Sequence, residues 1–399
     1  MEKRFGLTAS PETAASLGIG AEVELLPRFA DSHLPVLATS AAIASSVAII
    51  REIAGDASWR ENAEGSDPPS WTLANGARIS FEPGGQIEIS SARYPTASGL
   101  IAELKSITTM LSTAFERHGI LLESTGVDRW NDVDAVPLQL HRARYATMTR
   151  YFESLSPSGI RMMRQTASVQ VSIEAGSDPI ARWTLLNALA PYSSAIFSNS
   201  STYAGKKTGH QSYRAHLWRT LDPSRTGVAH PSTRPIGDYA LFALNAGAMF
   251  SPPWEGRYLS FLEWMREGHP TAEDWELHMS TLFPEVRPKG FFEIRSPDMV
   301  DPSMLAAPIA FIAGLVYDEQ SSRIAAEVLS QNDESLLVTA GARGLQDGGI
   351  ASIARELAVL AISGCERLGD AYLSRDDLDT LVEFIDRYTQ KGRSPADDE

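Results

Sequence analysis

Phe81-Glu82-Pro83-Gly84-Gly85-Gln86-Ile87-Glu88-Ile89-Ser90 is the stretch that decides the fold of this chain. Successive side chains of a strand point to opposite faces. On that rule Ser80 and Glu82 share one face and Ile79 and Phe81 the other. Pro83-Gly84-Gly85 turns the chain, and Gln86, Glu88 and Ser90 then oppose Ile87 and Ile89. Just upstream, Trp71 to Phe81 reads as a hairpin whose turn is Asn75-Gly76.

Three further segments repeat the pattern. Glu22 and Glu24 oppose Val23 and Leu25; Ser168, Gln170, Ser172 and Glu174 oppose Val169, Val171 and Ile173; Lys289, Glu293 and Arg295 oppose Phe292 and Ile294. An antiparallel sheet with helices packed on one side accounts for the apolar faces. Ordinary solvation is the plain account of any single polar face. Together, however, these faces carry Glu and Gln with two basic residues, and little of the Lys and Thr of solvated strands. Clustered carboxylates repel one another unless cations lie between them. Mg²⁺ takes oxygen ligands, commonly carboxylates together with nucleotide phosphates. Glu22, Glu24, Glu82, Glu88 and Glu293 offer such oxygens, and the neighbouring Arg and Lys suit phosphate or carboxylate groups. That combination fits phosphoryl transfer, in which positioning and charge neutralisation supply most of the catalysis.

Working outward, 399 residues with 43% apolar content are enough for one large core or two domains. A net charge of −15 argues against a general nucleic-acid surface. The one cysteine, Cys365, excludes an internal disulfide, fits a reducing compartment and reads as a buried structural thiol. The first residues lack a basic-then-apolar leader, and 41–50 is too short to span a bilayer. A soluble, cytoplasmic protein without a membrane partner is expected. Strands are expected at 17–27, 165–174 and 289–295, and helices at 39–54, 141–154 and 179–197. Leu100, Leu104, Ile107, Leu111 and Phe115 form a helical stripe. The Gly-, Pro- and Ser-rich stretch 198–253 reads as a long loop bordering a site. Helices follow over 304–390: Pro308 delays the first, and Ser374 with Asp377 resembles a capping box. Residues 392–399 are polar and expected to be disordered. The outcome is an α+β chain: a catalytic antiparallel-sheet part over 1–300, a helical part over 301–391 and a tail. The phosphate loop G-x-x-x-x-G-K-[ST], a full dinucleotide fingerprint, a G-x-S-x-G elbow and paired metal-spaced histidines are all absent from the sequence. His278 reads as structural.

Phe81 to Ser90 resembles the LEPGGQ-E-S signature of the plant and proteobacterial type of glutamate–cysteine ligase. Further segments agree in order. Arg144-Tyr145 through Met148 to Tyr151 resembles its RY..M..Y helix, and Met162 to Gln170 its MM.RT.TVQ strand. Asn199-Ser200 with Ser212-Tyr213-Arg214 through Trp218 to Asp222, Arg225 and Gly227, and finally His278 to Asp298, resemble two more of its motifs. The match spans roughly 18–318. The resemblance implies a curved antiparallel sheet forming a bowl, like that of glutamine synthetase and guanidino kinases. It implies ATP as co-substrate, two or more Mg²⁺ ions, and phosphorylation of the glutamate γ-carboxylate before the amine of cysteine attacks. Glu22, Glu24, Glu82, Glu88 and Glu293 would then hold metal. Arg287, Lys289 and Arg295 would contact the transferring phosphoryl group. Arg164, Thr166, Gln170, Asn199, Tyr213, Arg214, Trp218 and Arg225 would surround glutamate or nucleotide. The product would be γ-glutamylcysteine, a glutathione or ergothioneine precursor, made by a monomer or homodimer. The chain departs from the family pattern at Ser90-Ser91, Ser172, Glu174, Ala246-Gly247 and Pro288, and lacks the paired regulatory cysteines of the plant enzymes. Another acceptor amine, a non-catalytic ligand-binding relative, and a hydrolase working with a carboxylate pair are the competing readings.

Overall fold

The long strand β1 (Ile19–Phe29) is the spine of the sheet. Antiparallel partners flank it: β5 (Ile87–Ser90) on one edge, β7 (Val169–Glu174) on the other, and β6 (Ile120–Glu123) along its second half. Beyond β5 lie β4 (Arg78–Phe81), β3 (Ser70–Thr72) and β2 (Arg60–Asn62); beyond β7 lie β11 (Phe291–Ile294) and β10 (Val286–Pro288). A small ribbon pairs β8 (Thr202–Tyr203) with β9 (Lys206–Lys207). This computed structural model describes residues 1–10, 13, 16–41, 44–62, 67–227, 234–252, 258–330 and 335–399. The architecture is α+β with an antiparallel sheet, as the alternating strands require.

Val23, Leu25, Ile79, Ile87, Ile89, Val169, Val171, Ile173, Phe292 and Ile294 are all fully buried. They join one apolar cluster with Leu100, Leu104 and Leu111 of helix Ala97–Arg117 and with Trp183 and Leu186 of helix Pro179–Ile196. The same cluster takes in Ile309 and Phe311 of helix Ala306–Tyr317 and Phe384 of helix Arg375–Arg387. Each such side chain contributes about 1.5–3 kcal/mol on leaving water. The C-terminal helices therefore share the core of the sheet. Gly348–Leu368 is, among the described residues, the one helix long and apolar enough to cross a membrane; it buries Ile350, Ala354, Leu357, Ala358 and Ala361 in this core. Cys365 is buried there too, with Sγ 3.2 Å from the Ala310 carbonyl, and burial pushes its thiol up to about 12. Iodoacetamide should leave Cys365 unmodified in the native protein at pH 8 and alkylate it after denaturation, as mass spectrometry would read.

The polar face of the sheet differs from expectation. A second apolar cluster covers it, built from Met148 and Phe152, Ile160, Met162 and Met163, Trp218, and Phe283. These come from helices Ala143–Glu153, Pro157–Gln165 and Tyr213–Leu221 and the loop before β10. Helices thus pack on both faces, and solvation cannot explain the polar one.

Several boundaries shift. The helix expected at 39–54 is Ser46–Ala57, because Ser45 caps it by accepting from the Ala48 N–H. Residues 162–165 are helical: Ser156 and Pro157 open a helix that ends at Gln165, and β7 begins only at Val169. The stretch 198–253 is not one loop. Caps at Ser212 and Asp222, and Pro223 and Pro235 in first turns, start three helices within it. Lys289 and Gly290 form the β10–β11 turn, with Gly290 at φ +90°. Ser374 caps its helix by accepting from the Asp377 N–H, but its own N–H donates to Ser98 Oγ, so the box is not closed. The expected disordered tail is folded: Pro395–Asp397 form a 3₁₀ turn, Ser394 and Ala396 are buried, and the Ala396 N–H donates to the Ser198 carbonyl at 3.0 Å. Polar composition misled here because those polar groups are satisfied by the body of the protein.

Candidate active site

The Pro83-Gly84-Gly85 turn sets the position of the first acidic group. Glu82 N–H donates to the Gln86 carbonyl at 2.9 Å, and Gly85 N–H to the Glu82 carbonyl at 2.8 Å. Gln86 lies inside the turn: its Oε1 accepts from the Gly84 N–H at 2.9 Å and its Nε2 donates to the Thr166 carbonyl at 3.0 Å. Gly85 has φ +86°, and a Cβ on Gly84 would stand 1.9 Å from the Arg164 carbonyl oxygen. Gly84→Ala must therefore push two backbones apart. A stability loss of about 3 kcal/mol or more is expected in denaturant titration, with activity falling as Glu82 moves.

Register assembles the rest. Glu24 of β1 stands opposite Glu88 of β5, and Ser80 of β4 stands opposite Glu88 on its other side. Glu82 follows β4 directly. Carboxylate oxygens of Glu24, Glu82 and Glu88 all lie within 4.8 Å of one another. Ser80 and Ser90 donate to Glu88 at 2.9 and 3.0 Å, and Ser168 donates to Glu24 at 3.0 Å. These donors do not offset the crowding. Burial, then Glu88 and Glu293, pushes Glu22 up to about 8; burial, then Glu88, pushes Glu24 up to about 7. Burial, Glu88 and Glu24 push Glu82 well above the usual carboxylate range.

The opposite end of the row is cationic. Glu293 of β11 meets Lys289 Nζ at 2.7 Å, Arg295 at 2.5 Å and Arg287 at 3.4 Å. Burial opposes ionisation there, yet Arg287, Arg295 and Lys289 hold the Glu293 carboxyl down at about 2. Arg295 also donates to Gln170 Oε1 at 2.5 Å. Gln170 stands opposite Glu22 across β7 and β1, between the two ends.

A cleft of about 210 Å³ runs along this row, lined by Glu22, Glu24, Glu82, Glu88, Thr166, Gln170, Trp218, Arg287, Lys289 and Arg295. Glu22 also borders a second cleft of about 440 Å³ on the same sheet, beside Gly18, Gly20, Ser90, Ser91, Arg93, Ser172, Glu174 and Phe291. Three departures from the family pattern, Ser91, Ser172 and Glu174, line this second cleft. Three convergent carboxylates, Glu24 buried and Glu82 and Glu88 half-buried, suit a hard divalent cation. Glu293 differs from them, because its oxygens are already taken by three bases.

Six expected site residues do not line the first cleft: Glu293, held by its three bases, and five that lie elsewhere. Asn199 donates to the Ser124 and Met299 carbonyls. Tyr213 OH accepts from Arg161. The Arg164 backbone abuts Gly84 of the turn, and burial lowers the affinity of its guanidinium for the proton against the pull of Glu153 and Asp134. Arg225 is fully buried, donating to the Thr281 carbonyl at 2.9 Å and pairing with Asp222 at 3.3 Å. Arg214 lies behind the cleft, with its guanidinium 4.7 Å from the Trp218 ring and donating to the Arg295 carbonyl at 2.8 Å. Arg144, Tyr145, Met148, Ser280 and Phe283, not expected at the site, do line the cleft. Burial, then Glu82, pushes the Tyr145 phenol up. Arg144 and Tyr145 open the RY..M..Y motif, so the signal was present but read only as a helix.

A sequence model of glutamate–cysteine ligase family 2 matches residues 19–398. The chain belongs to this family. It is similar to the chloroplastic glutamate–cysteine ligase of Nicotiana tabacum, 30% identical over 347 residues that cover 80% of this chain and 64% of that one. It therefore spans somewhat less than two thirds of the tobacco protein. It is 31% identical to glutamate–cysteine ligase EgtA of Mycolicibacterium smegmatis over 365 residues, 86% of this chain and 81% of that one. Among solved structures, the bifunctional glutathione synthetase from Pasteurella multocida aligns with a TM-score of 0.53 at 11% identity, over 100% of this chain and 50% of that one. The glutamate–cysteine ligase from Francisella tularensis in complex with AMP aligns with a TM-score of 0.50 at 12% identity, over 95% of this chain and 89% of that one. At those identities the structural likeness speaks for the fold. Within the family, the row of acidic and basic groups is what this chain has to work with.

Proposed function

We propose that this chain joins the γ-carboxylate of glutamate to the amine of L-cysteine at the expense of ATP, giving γ-glutamylcysteine, ADP and phosphate. One observation carries the proposal: three carboxylates, buried Glu24 and half-buried Glu82 and Glu88, converge at one end of a cleft whose other end is Arg287, Lys289 and Arg295. In the first step a glutamate γ-carboxylate oxygen bonds to the γ-phosphorus of ATP and ADP leaves. In the second the amine nitrogen attacks the γ-carbonyl carbon, inorganic phosphate leaves, and the nitrogen gives up a proton. Arg287, Lys289 and Arg295 are placed to neutralise the phosphoryl oxygens, which gain most from preorganised charge while in transit. Trp218, Met148 and Phe283 exclude water, which would hydrolyse an acyl phosphate. Glu24, Glu82 and Glu88, with Glu22 beside them, would hold Mg²⁺, and the ion supplies charge neutralisation for phosphate oxygens. No enzyme nucleophile is required. We place the protein in the cytoplasm, as a monomer or homodimer.

A second reading keeps the activation step and changes the acceptor. The three departures lining the cleft that shares Glu22 favour it. Incubation with ATP, Mg²⁺, glutamate and a panel of amines, read by phosphate release and product mass, separates the two. Cysteine should give the highest rate. Cysteine at the buffer rate with another amine active would overturn the acceptor, and no amine active would overturn the ligase.

A further inference from the structure

We propose a second, non-catalytic site: a cradle for one carboxylate, filled by the chain's own Glu399, whose occupancy positions Arg295 and Trp218. The coupling half of this proposal rests on the ligase reading above; the cradle itself does not.

Glu399 has a buried side chain. Its Oε2 lies 2.8 Å from Ser201 Oγ and accepts from the Thr202 N–H at 2.9 Å. Lys207 Nζ donates to the Glu399 carbonyl at 2.8 Å and to Ser201 Oγ at 3.0 Å. Arg129 stands 3.5 Å from Oε1, an atom with no hydrogen bond of its own. A backbone N–H, a hydroxyl and the Arg129 guanidinium around one carboxylate, with Lys207 holding the main chain of the same residue, are the parts of an anion site. The site borders a cavity of about 610 Å³ that Asn199 also lines, so the segment has room to leave.

The residues before the cradle lead to the catalytic strand. Ser200 Oγ donates to Asp298 Oδ2 at 2.7 Å, and the Asn199 N–H donates to the same oxygen at 2.9 Å. Ser212 Oγ donates to Asp298 Oδ1 at 2.9 Å, and Arg214 lies 3.7 Å from it. The Arg214 N–H donates to Ser200 Oγ at 3.2 Å. Arg214 in turn donates to the Arg295 carbonyl and covers the Trp218 ring. Two residues, Asn199 and Ser200, therefore separate the cradle from Asp298, a fully buried carboxylate that organises the wall behind the cleft. Glu399 and Asp298 are positioning residues; neither lines the cleft.

The test compares the unsubstituted protein with Glu399→Lys and with Lys207→Met, the latter at an exposed position. Hydrogen exchange followed by mass spectrometry reads 198–203, 212–218 and 292–299, and steady-state assays read kcat and KM separately. Both variants should exchange faster across all three segments. Glu399→Lys should lower kcat about tenfold with a smaller change in KM, the size of an ordinary coupling between sites. Glu399→Gln, which keeps an acceptor oxygen, should recover most of the protection at 198–203. Unchanged exchange at 198–203 in Glu399→Lys would overturn the cradle. Faster exchange there, with 212–218, 292–299 and kcat unchanged, would overturn the coupling. An inactive wild type would sink the ligase reading alone, since exchange still reads the cradle.

Discussion

Glu88→Gln is expected to lower turnover about a thousandfold, roughly 4 kcal/mol of transition-state stabilisation, while leaving the protein as stable as before or more so in EDTA. Glu88 is the centre of the acidic group. It faces Glu24 across the β1–β5 pair, accepts from Ser80 and Ser90, and is a cause of the raised values of Glu22, Glu24 and Glu82. A carboxylate kept for the core would cost stability when neutralised. This one burdens the metal-free fold, and Gln removes the charge while keeping the shape. Activity and denaturation midpoint should therefore move in opposite directions, or activity alone should move. Retained turnover would remove Glu88 from the machinery. A large drop in stability in EDTA would make the group structural.

The metal-free protein should lose stability as pH rises from 6.5 to 8.5, and Mg²⁺ should abolish most of that loss. Folded Glu22 and Glu24 keep their protons up to about 8 and about 7, and Glu82 is raised in the same direction. The unfolded groups release theirs near the ordinary value of 4.5. Between those limits the folded state binds more protons than the unfolded state. Stability therefore falls with rising pH: its contribution is full below about 4.5 and gone above the folded values. Glu293, held down at about 2, acts in a separate acid window, losing its contribution only as pH falls toward 2. His278, lowered to about 4, titrates below the range chosen. Together the raised groups correspond to a few kcal/mol, on the order of 1.4 kcal/mol per tenfold change in proton affinity. Denaturant midpoints at both pH values, in EDTA and in saturating Mg²⁺, measure it. Equal slopes with and without the ion would contradict the assignment of these carboxylates to a cation.

The sheet was legible because period-two alternation is local. Glu22-Val23-Glu24-Leu25 and Gln86-Ile87-Glu88-Ile89 state their faces without help from the rest of the chain, and cross-strand register then brings Glu24 to Glu88. The roof over the polar face was not legible. Met148, Met162, Met163 and Trp218 sit on short helices, and nothing local says that those helices turn back over the acidic row. Three of the misplaced residues share a cause. Arg214, Arg225 and Asn199 are polar and stand in motifs, yet their partners are backbone carbonyls far away in sequence, which a linear pattern does not display. The tail failed for the same reason: Ser394, Ala396 and Glu399 fit slots built from residues about two hundred positions earlier.

Diffraction from crystals soaked with Mn²⁺ and a non-hydrolysable ATP analogue, recorded at the manganese absorption edge, tests the central claim most directly. An anomalous peak about 2 Å from oxygens of Glu24, Glu82 and Glu88 is the expected result, with phosphate oxygens reaching the same ion and the Arg287–Lys289–Arg295 group. Nucleotide bound elsewhere, with no peak among those three carboxylates, would contradict it.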